Sequence, residues 1–487
     1  MSSLASRAAK GGAITLASQL VKVAMMLVST ILLARMLSPH DYGLVAMVVA
    51  VIGVGEIFRD FGLSMAALQA KSLSQQQQSN LFWINSGVGA ALGLVVFSCS
   101  SLLASFYDAS EVTAIAQVLA ATFVLGGLST QFKVRINREL RFVALAAADL
   151  LPYALGIASA IALALLGGGY WALVAQQLVI ALGTLTLSVF LSRWWPSLPR
   201  RAPMKGLISF GASFAATQLI SYASRNVDSV LLGRFWGSTS LGFYDRAYNL
   251  VLLPLSQINT PMSRVAVPVL SRTAQDDQRY VAYLRRAQLV ALYVTSAAFA
   301  FLAGLGTPLI VLVLGDQWGS AGPLLSVLAI AGIFRSLAQV AYWIYMSRGL
   351  AGEQLKFYLL AQPLLIATIV CGVPFGPMGV AIAVAIGYAL FWAGSLAWVT
   401  RATGLSLGIL FVDSLWAIGV IALPIGASSF VVRIGIESAG YGGLPQLLGG
   451  AFAGFACCFL SWCLFPRVRY DSGLLLDFVR RAIGKGS

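Results

Sequence analysis

Ionisable residues are scarce in this chain of 487 residues. Asp, Glu, Lys and Arg together make up 10% of it, and hydrophobic residues make up 59%. Soluble domains contain roughly 25% charged and 45–50% apolar residues. This composition excludes an ordinary soluble domain and indicates an integral membrane protein.

Residues that carry enzymatic or metal chemistry are also few. The chain has one histidine, His40, and its five cysteines all lie in apolar stretches, where cysteine behaves as a small hydrophobic residue. No GxxxxGK[ST] phosphate-binding loop occurs. We therefore expect no metal, no cofactor and no enzyme activity. Any transport would draw on an H⁺ or Na⁺ gradient, on the membrane potential or on the gradient of the substrate.

Long apolar runs recur along the whole chain, each near the roughly 20 residues that a helix needs to cross a bilayer. They predict an all-α polytopic protein of about 14 transmembrane helices. The predicted spans are about 12–34, 43–66, 81–105, 112–132, 143–166, 170–191, 206–232, 241–265, 287–314, 322–346, 356–375, 377–399, 409–431 and 444–465.

Basic residues mark the orientation of these spans, because Lys and Arg gather at cytoplasmic ends. Most of them fall in alternate connections, and the opposite connections hold only Arg35, Arg234 and Arg433. This pattern predicts a multi-pass membrane protein with both termini in the cytoplasm. It also accounts for most of the formal charge of +15, which favours contact with anionic lipid and argues against nucleic acid.

Two similar turns between successive predicted spans, called corners below, indicate an internal repeat. LLARMLSPHDYG at 32–43 and LLGRFWGSTSLG at 231–242 align Arg35 with Arg234 and Gly43 with Gly242. A second pair of similar segments is SFYDASEVTAIAQVLA at 105–120 and VLGDQWGSAGPLLSVLA at 313–329. The repeat unit is therefore six helices, and an even unit gives two parallel halves around a central cavity.

This repeat predicts four segments. They are an N-terminal lobe at 1–205, a C-terminal lobe at 206–400, two additional helices at 401–466 and an amphipathic cytoplasmic tail at 467–487.

Ionisable residues inside the spans are the best candidates for function, since each costs about 2.5–3.5 kcal/mol at a helix centre. They cluster in the first two spans and in the seventh and eighth, and elsewhere we expect only Arg335 and Asp413. The clustered residues are Lys22, Glu56, Arg59, Asp60, Arg225, Asp228, Asp245, Arg246 and Arg264.

Spacing leaves two interpretations of these charges open. Arg59 lies one helical turn from Glu56, and Arg225 lies close to Asp228, so each pair could simply hold helices together. Lys22 has no acid within one turn and belongs to a polar stripe at helical spacing, which favours a position lining a cavity.

The two corners and their flanks carry a family resemblance. LLARMLSPHDYGLVAMVVAVIGVGEIFRDFGLSMAALQ and NVDSVLLGRFWGSTSLGFYDRAYNLVLLPLSQINTPMSRVAVPVLSR resemble the polysaccharide (O-antigen or colanic acid exporter-like) flippases of the multidrug/oligosaccharidyl-lipid/polysaccharide superfamily. The resemblance implies a flippase that moves oligosaccharide repeat units on undecaprenyl pyrophosphate across the inner membrane by alternating access, for exopolysaccharide, capsule or lipopolysaccharide synthesis. A polysaccharide polymerase and chain-length proteins are expected partners beside membrane lipids.

A pyrophosphate cannot cross hydrocarbon unpaired, so the cavity should be cationic. The expected pyrophosphate contacts are Lys22, Arg59, Arg225, Arg264 and Arg335. The candidate sugar contacts are Gln19, Asn226, Gln257 and Asn259. The candidate ion-coupling acids are Glu56, Asp60 and Asp228.

Two other functions stay open at this point. An ion-coupled drug or metabolite antiporter of the same superfamily would share the helix bundle, although the basic residues near the core disfavour it. A polysaccharide polymerase or ligase would more often carry a large periplasmic loop, and the outer connections here are short.

Overall fold

The computed structural model describes residues 2–70 and 72–473, and within them all side chains except those of 2–10, 213–214, 216–221 and 223–225. The described chain is all-helical, as predicted. Its sixteen α-helices are α1 Ser2–Met36, α2 Pro39–Asp60, α3 Leu63–Gln69, α4 Gln75–Ser98, α5 Ser100–Tyr107, α6 Glu111–Arg138, α7 Phe142–Leu165, α8 Trp171–Ser192, α9 Lys205–Thr273, α10 Asp277–Leu314, α11 Ala321–Ser347, α12 Ala351–Gly372, α13 Gly376–Thr403, α14 Gly408–Ala417, α15 Leu423–Ser438 and α16 Gly443–Leu464.

Eleven stretches of the described residues are long and apolar enough to cross a membrane, so the count of fourteen is not confirmed. The predicted spans 356–375 and 377–399 share one such stretch, Ala351–Thr403, which a 3₁₀ turn interrupts at Val373–Phe375. The predicted spans 206–232 and 241–265 both fall within α9, where Gly237 leaves the helical conformation at φ 76° and ψ 177°. The basic tail after residue 473 and Lys71 lie outside the described residues.

Local sequence explains where α2 begins and ends. Ser38 caps its N-terminus in a capping box with Asp41, and Pro39 occupies the first turn, where its missing N–H is not needed. At the other end Phe61 and Gly62 adopt left-handed backbone angles, which separate α2 from the short helix α3. The charged end of α2 therefore lies at a fixed bend.

The chain divides into two compact units, Met1–Gly242 and Phe243–Ser487. In the first, α7 packs on α8, α4 on α6, and α1 on α7. In the second, α10, α11 and α13 pack together, and α15 packs on α16. The lobe boundaries at 205 and 400 stay a prediction.

The two similar corners of the sequence meet directly within the first unit. A Cβ on Gly43 would lie 1.7 Å from the carbonyl oxygen of Ser238, and a Cβ on Gly242 would lie 1.9 Å from that of Pro39. Each aligned glycine thus faces the backbone of the other corner, four residues before its partner glycine. His40 Nδ1 and Ser238 Oγ add a contact of 2.6 Å. The repeated glycines are required because two backbones approach here too closely for a side chain.

A buried charge network joins three segments of the second unit. Asp413 on α14 is 1% exposed and accepts hydrogen bonds from Arg285 Nε at 2.6 Å and from Arg467. Arg467 lies in the segment 466–473 after α16, where Asp471 accepts a hydrogen bond of 2.8 Å from Tyr293 of α10. The network therefore joins α10, α14 and the end of the described chain.

Candidate functional site

A cavity of about 720 Å³ lies inside the first unit, between α2, α3, α6, α7 and α8. This volume is within the range of about 300–1,000 Å³ that small-molecule sites usually have. Hydroxyl, amide and charged groups line much of it, although the helices around it are apolar. The polar lining residues are Glu56, Arg59, Asp60, Ser64, Thr122, Ser129, Thr130, Lys133, Asn137, Asp149, Gln177 and Thr184.

Arg59 and Glu56 form an ion pair at one wall of this cavity. Their side chains lie 2.7 Å apart, Nη2 to Oε2, on successive turns of α2. The Arg59 guanidinium rests on Gly126 of α6, where a Cβ would lie 1.4 Å from Nη1. The main-chain oxygen of Arg59 accepts a hydrogen bond of 3.1 Å from the Asn85 amide. Gly126 thus leaves the space that the partly buried guanidinium fills.

The structure pairs Lys133 of α6 with Asp149 of α7 in the same cavity. Nζ and Oδ1 are 2.5 Å apart, and both side chains are about a third exposed, at 34% and 35%. The sequence pattern did not indicate this pair. Lys133 falls in a predicted connection but lies in α6, and Asp149 lies inside α7, so the expectation that Arg335 and Asp413 are the only other ionisable residues in the spans is wrong. The available signal was Asp149 itself, a single acid inside an apolar run, because such a residue needs a polar partner in the membrane.

Asp60 completes the charged lining and accepts a hydrogen bond from Ser64 of α3. The cavity holds three acids and two bases, and each base already has an acidic partner. Proximity of Glu56, Arg59 and Asp60 is as predicted, because i, i+3 and i+4 positions share one helix face. A cavity with free cations is not what these described side chains form.

Two candidates on α1 lie elsewhere. Lys22 is exposed, and its Nζ stands 5.9 Å from the centre of the Tyr153 ring on α7, a cation–π contact. Gln19 is exposed on the same helix. Neither residue is part of the cavity lining.

Three candidates lie on the first half of α9. The side chain of Arg225 is outside the described residues. Asn226 donates a hydrogen bond of 2.9 Å to the Tyr222 carbonyl of its own helix, and Asp228 is 3% exposed and accepts one of 2.8 Å from the Ser229 amide. Their predicted roles stay predictions.

The candidates of the second unit form a separate polar group. Arg335 donates to the Tyr248 hydroxyl at 2.5 Å and stacks on the Tyr388 ring at 4.6 Å. Asn259 accepts a hydrogen bond of 3.2 Å from Ser336. Arg264 and Gln257 are exposed. The structure brings Arg335 to aromatic rings, which is a common environment for a guanidinium.

In the described part of the chain, no group of three or more His, Cys, Asp or Glu side chains is placed so that it could hold a metal ion.

Two solved structures of membrane transporters share the fold of this chain. The inward closed lipid II flippase MurJ superimposes with a TM-score of 0.68 at 14% identity, covering 92% of this chain and 98% of that one. An inward-facing multidrug resistance MATE transporter of the MOP superfamily gives 0.62 at 16% identity, covering 81% and 96%. At these identities the likeness establishes the fold.

The particular family follows from sequence. Residues 32–323 match the family model described as polysaccharide biosynthesis protein, and the chain belongs to that family.

Curated relatives carry names from the same field. Teichuronic acid biosynthesis protein TuaB of Bacillus subtilis (strain 168) is 28% identical over 62% of this chain and 63% of its own length, so the match spans less than two thirds of that relative. Lipopolysaccharide biosynthesis protein WzxC of Escherichia coli (strain K12) is 25% identical over 75% and 74%. Succinoglycan biosynthesis transport protein ExoT of Rhizobium meliloti (strain 1021) is 25% identical over 62% and 61%.

Proposed function

We propose that this protein moves lipid-linked oligosaccharide units across the membrane for the assembly of a surface polysaccharide. The observation that carries the proposal is an open cavity with charged, hydroxyl and amide side chains in its lining, between apolar helices of a member of the polysaccharide biosynthesis family. The relatives are named for the synthesis or transport of such polymers. The work is transport and not catalysis.

The proposed cargo is a glycan on undecaprenyl pyrophosphate. The prenyl chain can stay in lipid, while the pyrophosphate and the sugar next to it need polar partners on the way across. The cavity offers both kinds of partner, since Thr122, Thr130 and Gln177 can bond to sugar hydroxyls and Arg59 and Lys133 can pair with phosphate.

The acids of the cavity suggest how transport is driven. Glu56 holds Arg59 and Asp149 holds Lys133, so a phosphate must displace these carboxylates to reach the bases. A displaced carboxylate, like Asp60, then faces the anionic cargo, and protonation removes that repulsion. We propose that cargo binding takes up protons at Glu56, Asp60 and Asp149, which makes the proton the coupling ion in preference to sodium.

The same acids would also suit an antiporter that exports cationic drugs. Family membership favours the polysaccharide cargo over that alternative. Deletion of the gene separates the two, because loss of an antiporter gives drug sensitivity and leaves surface polymer intact.

Deletion should abolish surface polymer and leave lipid-linked repeat units on the cytoplasmic leaflet. Treatment of intact spheroplasts with an external glycosidase or a labelled lectin measures whether these units are accessible from the outer face of the membrane. Inaccessible units are expected, because the cargo is finished but not flipped. Accessible units would point to a defect in polymerisation and contradict the proposal.

The proposed location is the inner membrane, with cytoplasmic termini and outward corners at Arg35 and Arg234. Reporter fusions after Asp41 and after Ser238 should both report the periplasm, because basic residues avoid that side. A cytoplasmic signal from either fusion contradicts this topology.

Single substitutions of the paired bases should reduce export with little loss of folded protein. A charge-assisted hydrogen bond is worth roughly 1.5–3 kcal/mol, so Lys133→Ala and Arg59→Ala should weaken cargo binding about ten- to a hundredfold. Surface polymer in complemented deletion strains is the measurement. Arg135→Ala is the matched control, since Arg135 lies on the same helix, pairs with Glu139 at 2.5 Å and is not in the cavity lining.

A purely structural role of Arg59 predicts another outcome. In that case the double variant Glu56→Ala with Arg59→Ala should restore both the amount of folded protein and export, because no unpaired charge is left. Under our proposal the double variant still lacks a phosphate partner and stays defective. Restored export would therefore remove Arg59 from the cargo site.

A further inference from the structure

We propose a binding site for an anionic phospholipid in the groove between α12 and α13. The groove has a volume of about 330 Å³ and lies within the membrane-crossing stretch Ala351–Thr403 of the second unit. Apolar side chains line it along both helices, and Arg401 closes one end. It shares no residue with the cavity in the first unit.

Glycines and small residues on α13 create the groove. Gly387 and Gly394 stand two turns apart and both line it. At Gly394 a Cβ would meet only the Phe357 ring, at 3.5 Å, so this position is open space above an aromatic floor. The leucines at its rim, Leu360 and Leu390, are 64% and 51% exposed, which leaves the groove open to lipid.

The dimensions match one lipid tail. The lining runs from Phe357 to Thr368 on α12 and from Gly387 to Arg401 on α13, which is about 17 and 21 Å at about 1.5 Å per residue. One leaflet of hydrocarbon is about 15 Å deep, half of the roughly 30 Å core. The match favours the acyl chain of a phospholipid over a longer polyprenyl chain.

Charge at the end of the groove identifies the headgroup. Arg401 is exposed and forms no ion pair with any residue that the structure describes. The neighbouring acid Glu353 is already bound, by Lys356 at 2.6 Å and by the Trp398 indole N–H at 3.2 Å. The basic residues predict that this end faces the cytoplasm, where the leaflet is rich in anionic lipid. A phosphodiester at Arg401 with its tail in the groove satisfies both parts of the site.

Native mass spectrometry of the purified full chain in detergent tests the site. Phosphatidylglycerol should be retained in preference to phosphatidylcholine with the same acyl chains. Arg401→Gln should weaken retention of phosphatidylglycerol about tenfold, because it removes one charge-assisted contact. Retention of phosphatidylcholine should fall less, because its choline ammonium already balances the charge of the phosphodiester. Arg272→Gln is the control, as it removes another exposed arginine at a helix end, far along the chain from the groove.

Filling the groove tests the tail separately. Gly394→Leu should weaken retention of both lipids, while Gly394→Ala, whose Cβ makes an ordinary contact with Phe357, should not. Equal retention of the two lipids, or an Arg401→Gln variant that binds like the wild type, would overturn the proposal. Displacement of phosphatidylglycerol by millimolar inorganic phosphate would reduce the site to a phosphate contact, and displacement by undecaprenyl phosphate would assign the groove to the cargo.

Discussion

Replacing Asp413 by alanine should leave much less folded protein in the membrane. The carboxylate is 1% exposed and binds two arginines, Arg285 and Arg467, so its removal leaves two cations without their buried partner. Breaking a buried ion pair costs about 3–5 kcal/mol, and the lower end applies because the arginines are 38% and 34% exposed. The yield of monodisperse protein and its unfolding temperature measure the effect.

An ion pair with an exposed acid in the same unit provides the control. Asp277 is 65% exposed and lies 2.6 Å from Arg348, which is 17% exposed and also contacts the Tyr280 ring at 4.4 Å. Because the carboxylate of this pair is in solvent and Arg348 keeps its ring contact, the pair contributes at most about 1 kcal/mol. Asp277→Ala should therefore leave yield and unfolding temperature nearly unchanged. Asp413→Asn should fall between the two, because the amide oxygen still accepts a hydrogen bond. Wild-type yield for Asp413→Ala would show that the network does not stabilise the fold.

Adding a methyl group at Gly43 or Gly242 should separate the two corners and stop export. Each new Cβ would lie within 2 Å of a carbonyl oxygen, at 1.7 Å for Gly43 and 1.9 Å for Gly242, so the backbones must move apart. Overpacking usually costs about 1–3 kcal/mol, and more where no side chain can yield. We expect at least a tenfold loss of export from Gly43→Ala and from Gly242→Ala.

The double variant sharpens this prediction. Both glycines contribute to one contact between the corners. Once one methyl group has separated the corners, the second substitution should cause little further loss of export, so the double variant should export no less than the worse single variant. Cysteines introduced as His40→Cys and Ser238→Cys, in a background without the five native cysteines, should cross-link in the parent and fail to do so in either variant.

Gly435→Ala is the matched control for both measurements, because a Cβ there meets nothing within 4 Å. Additive losses of export from the two corner variants, or cross-linking that persists in them, would show that the corners do not act as one contact.

The sequence by itself determined the class of this protein and the location of most helices. Runs near 20 apolar residues fold as helices in a bilayer whatever their neighbours are, because no water is available to the backbone there. The grouping of Glu56, Arg59 and Asp60 was equally local, since it depends only on helical spacing. Membership of the family was expected from the corner motifs, and the match to residues 32–323 confirms it.

Only the tertiary structure decided which polar groups meet. Lys133 and Asp149 are 16 residues apart on different helices, and their contact depends on how α6 and α7 are rotated about their axes, which spacing along one helix does not specify. The rotation of α1 about its own axis likewise places Lys22 at the Tyr153 ring of α7 and not in the cavity lining. The repeated corners were visible as a pattern, but that Gly43 faces Ser238 while Gly242 faces Pro39 follows from the packing of α2 against α9. Helix formation is set locally, whereas helix rotation and close approach are set by side chains distant in the chain.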